Sequence, residues 1–567
     1  MSDFAALVAD FHALLTRDPN ARVFLGLLDG LDGLPDPSAE RWARDAADAL
    51  ALRARLDALP PTDDFDESLD RDLAGLTLDA LRLHATLPLN GRPQVSAMPR
   101  VADAVGAGIF LIFVNDPRPD AERLETITAR LDAVPAYVEA ALAALDRPLA
   151  RWVSIDDEKV AGLPGLFETI AAWAERIHWD GTPRLQSARE RAVAALADYR
   201  VRLAALPTES NVHVGAELAQ RIVHSKGIDK SLADLHAMAR DFLAETTSQL
   251  DELRGRLVPK YDLPATTTNA ELHGFLNKRF PVAVGDGGLD DILARYEAER
   301  ARLRAWCDET GLFEVFDDQD MKIMRTPPFM EPSIPAGAMM PPPAFRPGIA
   351  TSLVYLTLKA DQLDEHTELG IPMMMVHEGI PGHHLQLAWA ARHPSIVRRH
   401  YDGAHHAEGW TTMLEDYMLD QGYLGDLVDE ARFATKRDIS RIGARVAIDL
   451  YLMTGDRDFL EVGVPFDRDA DAPWGLAGSL LQQVTGFTPG RVQAELNWYS
   501  QERGYPLSYL TGNRMVWDIK RGVQEAQAGR LDAQAIDRAF HRVYLESGNM
   551  PVSMLRRVFV HEGLLPA

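Results

Sequence analysis

The 567-residue chain has a single cysteine, Cys307, so no intrachain disulfide can form. That excludes a disulfide-stapled architecture and fits a reducing compartment. Its position in Leu303-Arg304-Ala305-Trp306-Cys307 reads as helical and suits a buried thiol better than a nucleophile. Basic residues are scarce beside acidic ones: 59 Lys plus Arg against 84 Asp plus Glu, a formal net charge of −25. A field of that sign repels nucleic-acid phosphate and anionic lipid, so neither a nucleic acid nor a membrane is an expected partner. No run of about 18 uninterrupted apolar residues occurs, so no membrane-spanning helix is expected. The opening Met1-Ser2-Asp3-Phe4 shows no basic stretch leading into an apolar one. The resulting expectation is a cytoplasmic protein. There is also no Gly-x-Ser-x-Gly elbow and no phosphate-cradling Gly-x-x-x-x-Gly-Lys-Ser/Thr loop, which leaves those hydrolase and nucleotide chemistries without support.

Apolar residues make up 46% of the chain, enough for a large core. Up to about residue 325 they recur at three- and four-residue spacing, as in an amphipathic helix that lays one stripe on a core. The pattern predicts helices over Ala39 to Leu59, Glu67 to Thr86, Asp120 to Leu145, Leu163 to Ile177, Leu185 to Leu206, Leu232 to Leu257 and Leu289 to Thr310. Ser231-x-x-Asp234 and Thr268-x-x-Glu271 read as capping boxes, in which side chains satisfy the first free amides of a helix. Between Pro327 and Pro347 lie eight prolines. Proline lacks an amide donor and fixes φ, so this stretch is neither helix nor central strand. It is either a linker or a rigid loop over a site. Ile349 to Leu358, rich in Val, Leu, Thr and Tyr, is the best strand candidate. Helical patterns return over Pro372 to Arg392, His405 to Leu419 and Glu430 to Leu452. The expected fold class is mainly α with a small β-sheet. Residues 1–325 form a helical N-terminal region and residues 326–567 a metal-binding catalytic region.

The chemistry concentrates in His377-Glu378-Gly379-Ile380-Pro381-Gly382-His383-His384, with Glu408 following in Ala407-Glu408-Gly409-Trp410. Two imidazoles and a distant glutamate form the ligand set of a catalytic zinc site that keeps one position for water. In the common His-Glu-x-x-His helix the two histidines are four apart and share a face. Here His377 and His383 are six apart, which on a regular helix means about 9 Å of rise and about 240° of rotation. No single ion bonded at about 2 Å could bridge them in that geometry. Pro381 cannot donate to the carbonyl of His377, and Gly379 and Gly382 tolerate unusual dihedrals. The helix is therefore expected to bulge or break. A bulge absorbing two residues would bring His383 to the second ligand position; His384 is the alternative, and the one not used would act behind the ligands or on substrate. Imidazole plus carboxylate suits zinc, one ion per chain, with nickel, cobalt or manganese also compatible. Glu378, beside a ligand, is placed to act as general base. A donor for the oxyanion of the tetrahedral intermediate is still needed. Tyr505 and Tyr509 in Gly504-Tyr505-Pro506-Leu507-Ser508-Tyr509 are the candidates.

These residues resemble domain-of-unknown-function family 885. The resemblance rests on His377 to Gln386, on Glu408-Gly409-Trp410 with Glu415, on Arg346-Pro347-Gly348, on Leu507-Ser508-Tyr509, and on the early Asp18-Pro19 and Leu34-Pro35-Asp36. It spans nearly the whole chain. It implies a gluzincin-like zinc metallopeptidase, similar in layout to helical oligopeptidases and carboxypeptidases such as neurolysin and angiotensin-converting enzyme. A cleft fold with its small sheet beside the active-site helix follows, with residues 1–325 as one wall. The metal roles fall on His377, His383 and Glu408, the base role on Glu378, and the late tyrosine on Tyr509; Glu415 would orient a histidine ligand through its ring N–H. Two stretches depart from the family pattern. After Asp449 the family carries a glycine and a histidine where this chain has Leu450-Tyr451-Leu452, and Gly504-Tyr505-Pro506 replaces Pro-Gly-Gln. Both bear on substrate preference.

The expected function is zinc-dependent hydrolysis of short peptides, the partner being an oligopeptide or small-molecule substrate. The alternatives are a metal-dependent hydrolase of a non-peptide amide or ester, and a non-catalytic metal-binding scaffold. An exopeptidase would need a charge for a peptide terminus. Arg441, Arg445 and Arg514 could bind a carboxylate or simply pair with acids on helices.

Overall fold

The computed structural model describes residues 3–334, 336–359 and 366–566. The chain is mainly helical with a three-stranded sheet, and most predicted helices lie within a few residues of their expected ends. Their starts are chemically specified. Ser38 and Asp64 accept from the amides of Arg41 and Glu67, and both capping boxes, Ser231/Asp234 and Thr268/Glu271, are closed in both directions. One predicted helix is much longer. Ala150–Arg176 runs straight through Pro164, because Trp152, Ile155, Val160, Leu163 and Phe167 bury one continuous stripe that outweighs a lost backbone bond. A further helix, Val101–Asn115, is apolar on nearly every face and carries no single stripe for periodicity to detect. Among the described residues no helix is long and apolar enough to cross a membrane.

The strand expected near residue 350 is Ala350–Leu356, the central strand of the sheet. It pairs in parallel with Gln319–Arg325, in register Gln319 with Ala350 and Arg325 with Leu356. On its other side Gly337–Met340 pairs antiparallel. That last strand lies in the proline-rich stretch, at the sheet edge where the missing amides of flanking prolines cost no ladder bonds. The same stretch lines the main cavity through Met330, Ile334, Met339 and Met340.

The predicted histidine helix is two helices. The first runs Gly370–Glu378 and the second His383–Arg392, with 379–382 as the link and the Ile380–Pro381 peptide cis. The chain breaks here instead of bulging. Gly382 packs so tightly under the first helix that a Cβ would collide with the carbonyl oxygens of Val376 and His377. The link is pinned from the next helix, Ala404–Asp420: Trp410, wholly buried and stacked on Tyr544, donates its indole N–H to the Pro381 carbonyl at 2.9 Å.

The glutamate helix Ala404–Asp420 lies against the tyrosine helix Ser508–Gln527 with almost no separation. A Cβ on Gly409 would sit 2.6 Å from the Gly512 carbonyl carbon, and one on Gly512 would strike the His405 carbonyl oxygen. One hydrophobic cluster joins Leu73, Leu253 and Leu303 with Val354, Met375, Leu385, Trp410 and Phe540. The site therefore sits on a core drawn from both sides of residue 325, and Cys307 is buried in that same cluster.

Candidate metal centre

Three consecutive residues of the glutamate helix point three ways, as a step of about 100° per residue requires. Glu408 faces the two histidine helices, Gly409 meets the tyrosine helix and Trp410 clamps the link. Glu408 Oε2 lies 3.5 Å from His377 Nε2 and 3.3 Å from His383 Nε2, and the two rings stand at 83° with centroids 4.8 Å apart. A tetrahedral ion with bonds of about 2.1 Å separates its ligand atoms by about 3.4 Å, so these spacings fit one ion. Despite its nearness to both nitrogens, this buried oxygen accepts no hydrogen bond from either ring. The three ligand atoms all lie within 4.8 Å of one another, and they fit a metal with imidazole and carboxylate ligands.

The surroundings hold each ligand atom in place. His377 Nδ1 donates to Glu415 Oε1 at 2.8 Å, leaving Nε2 to face Glu408, with Thr411 Oγ1 3.3 Å from that nitrogen. Tyr505 donates to Glu408 Oε1 at 2.9 Å, which leaves Oε2 toward the histidines. Among the described residues, buried His383 has no hydrogen-bond partner at Nδ1, and buried Glu378 has none at Oε2. Burial disfavours charge on Glu408, yet His383 and His377 outweigh it and hold the carboxyl well below the usual range. Burial likewise opposes charge on His377, but the neighbouring carboxylates of Glu408, Glu415 and Glu378 raise its pKa to about 10. Three carboxyl groups and two imidazoles buried together are costly without a compensating cation.

His384 stands apart from this group. It is wholly buried, with Nδ1 2.7 Å from Ser352 Oγ on the central strand and Nε2 bonded to Gln319 Oε1 on its neighbour. Burial first, then Arg300, lowers its pKa to about 4, so it is a neutral ring tying the second histidine helix to the sheet. The structure thus brings together His377, His383, Glu408 and Glu378, and places Glu415 behind His377.

Tyr509 is half-buried on the cavity wall beside Tyr505, their rings 5.9 Å apart. The Arg445 guanidinium lies 4.4 Å over its ring and is itself paired with Glu495 at 2.9 Å. Burial, then Glu408, pushes the Tyr509 hydroxyl pKa well up. Asp449, wholly buried, accepts the amides of Gly504 at 3.1 Å and Leu507 at 3.2 Å, so it holds the turn that carries Tyr505. Sequence reading missed this role and the Tyr505–Glu408 contact, since neither has a spacing signature. All three ligand candidates, Glu378, Tyr505 and Tyr509 line one cavity of about 970 Å³.

A family model described as "Bacterial protein of unknown function (DUF885)" matches residues 19–559. No curated protein matches the chain. Among the solved structures that share its fold are two described as lipoproteins. A putative lipoprotein of unknown function from Shewanella oneidensis superposes with a TM-score of 0.74 at 18% identity, covering 99% of this chain and 100% of that one. A putative lipoprotein from Colwellia psychrerythraea gives 0.74 at 15%, covering 99% of each. Those descriptions overturn the cytoplasmic location expected from the sequence. That expectation rested on the single cysteine, on an opening read as having no basic stretch before an apolar one, and on the lack of a long apolar run.

Proposed function

The chain belongs to the DUF885 family, and from the site geometry we propose that it is a gluzincin-like metallopeptidase, hydrolysing short peptides with one zinc ion per chain. The observation that carries this reading is the convergence of His377 Nε2, His383 Nε2 and the hydrogen-bond-free Oε2 of Glu408, beside a second buried carboxylate, Glu378. His377, His383 and Glu408 would hold the ion. When bound, zinc would supply Lewis acidity toward a substrate carbonyl and a water acidified to a pKa near 7.

The protein's own groups do the rest. Glu378 takes the water proton at its free Oε2 and returns it to the leaving amine. Glu415 fixes the tautomer and tilt of His377, and Tyr505 fixes the rotamer of Glu408. Tyr509, kept protonated by its buried setting, offers a hydroxyl to the developing oxyanion. The cavity is at the upper end of ligand-sized pockets, roomy enough for a few residues of peptide. Phe24, Asp103, Lys159, His273 and Tyr296 line it from residues 1–325, which supports reading that region as one wall of a neurolysin-like cleft.

The test is metal content together with Glu378→Gln. About one zinc per chain is expected, retained in the variant, with peptide hydrolysis reduced by roughly 100-fold or more. Full activity in Glu378→Gln removes that residue from the chemistry, and a protein that takes up no metal rejects the centre.

A further inference from the structure

Four arginines of the cavity wall lie on the helices between residues 428 and 501, and three of them have an acidic partner; Arg399, on Ile396–His400, is instead held by the Ala344 carbonyl and the Phe345 ring. Arg441 pairs with Asp438, Arg445 with Glu495 at 2.9 Å, and Arg491 approaches Asp438 at 3.8 Å. Arg514, the third arginine considered from sequence, is held by Glu245 at 2.5 Å and lies outside the cavity lining. Arg437, on the helix Val428–Ile439, differs. Among the described residues its side chain has no ion pair, and its Nε is buried without a hydrogen-bond partner. Asp438, its neighbour in sequence, is turned to Arg441 and Arg491.

The groups around Arg437 leave its charge uncompensated. Gly486 abuts the guanidinium: a Cβ there would stand 2.7 Å from Nη2, so no side chain intervenes on that side. Across the cavity wall His273 and Asn277, four residues apart on Asn269–Arg279, supply two more polar groups. Burial, then the charge of Arg437, lowers the His273 pKa to about 4, so the imidazole is neutral at physiological pH. A guanidinium partly withdrawn from water without an acidic partner is costly, and an anion entering the cavity offsets that cost through charge-assisted hydrogen bonds.

We propose that Arg437 is the anchor of an anion subsite and that the substrate carries a carboxylate which docks on it. The planar fork of arginine matches a carboxylate through two parallel N–H···O bonds. A lone cation next to neutral His273 balances one negative charge, which favours a carboxylate over a doubly charged phosphate. The inference rests on reading the cavity as a peptide-hydrolysing site, where the carboxylate comes from a free C-terminus or from an acidic side chain.

The experiment has a binding arm and a turnover arm. In the first, benzoylglycine and its amide are titrated calorimetrically into the zinc-loaded wild-type protein, Arg437→Gln and Arg437→Lys. The acid should bind the wild type roughly 10- to 100-fold more tightly than the amide. The preference should vanish in Arg437→Gln and return in part in Arg437→Lys, which keeps the charge without the fork. In the second arm, matched peptides with a free C-terminus, an amidated C-terminus, and an amidated C-terminus plus one glutamate identify the source of the carboxylate through KM. Equal binding of acid and amide to the wild type overturns the subsite without any variant needing to fold. So does an acid preference that survives in Arg437→Gln. If no peptide is cleaved but the probe behaves as expected, the hydrolase reading fails and the subsite stands. Cleavage indifferent to carboxylates has the opposite meaning.

Discussion

Tyr505 donates its hydroxyl to Oε1 of Glu408 at 2.9 Å, and this one bond decides which oxygen of the carboxylate turns toward His377 and His383. Without it Glu408 could rotate and offer either oxygen, or neither. Tyr505→Phe is therefore expected to weaken metal binding by roughly 10- to 100-fold while leaving the fold intact. Competition with a chromophoric chelator measures this. Unchanged affinity would mean that packing alone fixes the rotamer.

The adjacent histidines should behave oppositely. His383→Gln is expected to lose the metal, because it removes one of three converging ligand atoms. His384→Gln should keep it and instead lower stability by about 1–3 kcal/mol, the cost of leaving Ser352 and Gln319 without their shared partner. Metal content and thermal unfolding of the two variants separate the roles, and metal loss in both would show that the sheet contact also sets the ligand geometry.

The glycine contact between the glutamate and tyrosine helices sets the distance between Glu408 and Tyr505. In Gly512→Ala the new methyl has only the His405 carbonyl to move into. Overpacking of this kind costs about 1–3 kcal/mol. Because the two helices must part, metal affinity should fall along with the melting temperature. A variant that loses stability but keeps its affinity would separate the contact from the centre.

Asp449 gives a pH signature. Burial raises its pKa from 3.8 to about 7, against the opposing pull of the Gly504 and Leu507 amides. Between those values the folded chain holds a proton that the unfolded chain has released. The stabilising contribution is thus complete below about pH 3.8 and is lost as the pH rises through about 7. Asp449→Asn keeps an acceptor for the amides without titrating. Relative to wild type the variant should gain stability steadily from pH 4 to 7, as read from denaturant midpoints. A difference independent of pH would place the titration elsewhere.

Much of this was readable in the residues. Helix starts were legible because Ser231, Asp234, Thr268 and Glu271 satisfy backbone amides locally, within four residues. The central strand was legible because its β-branched and aromatic run has no competing pattern. Val101–Asn115 was not, since a helix buried on all sides has no stripe. Nor was the start of Ala150–Arg176, where the penalty for Pro164 is visible in sequence and the packing that overcomes it is not.

At the site, the chemistry on offer is written in the residues themselves: imidazoles and carboxylates of the right kinds, and a Gly-Ile-Pro-Gly stretch through which no regular helix can pass, because proline removes a donor. How that interruption resolves depends on contacts from elsewhere in the fold. Trp410 reaches across from another helix to hold the link, and the sheet claims His384, leaving His383 for Glu408. The division follows from range. Backbone sterics and caps act between neighbours in the chain, while the partners of Glu408, Asp449 and His384 are chosen by contacts between distant segments that no local pattern records.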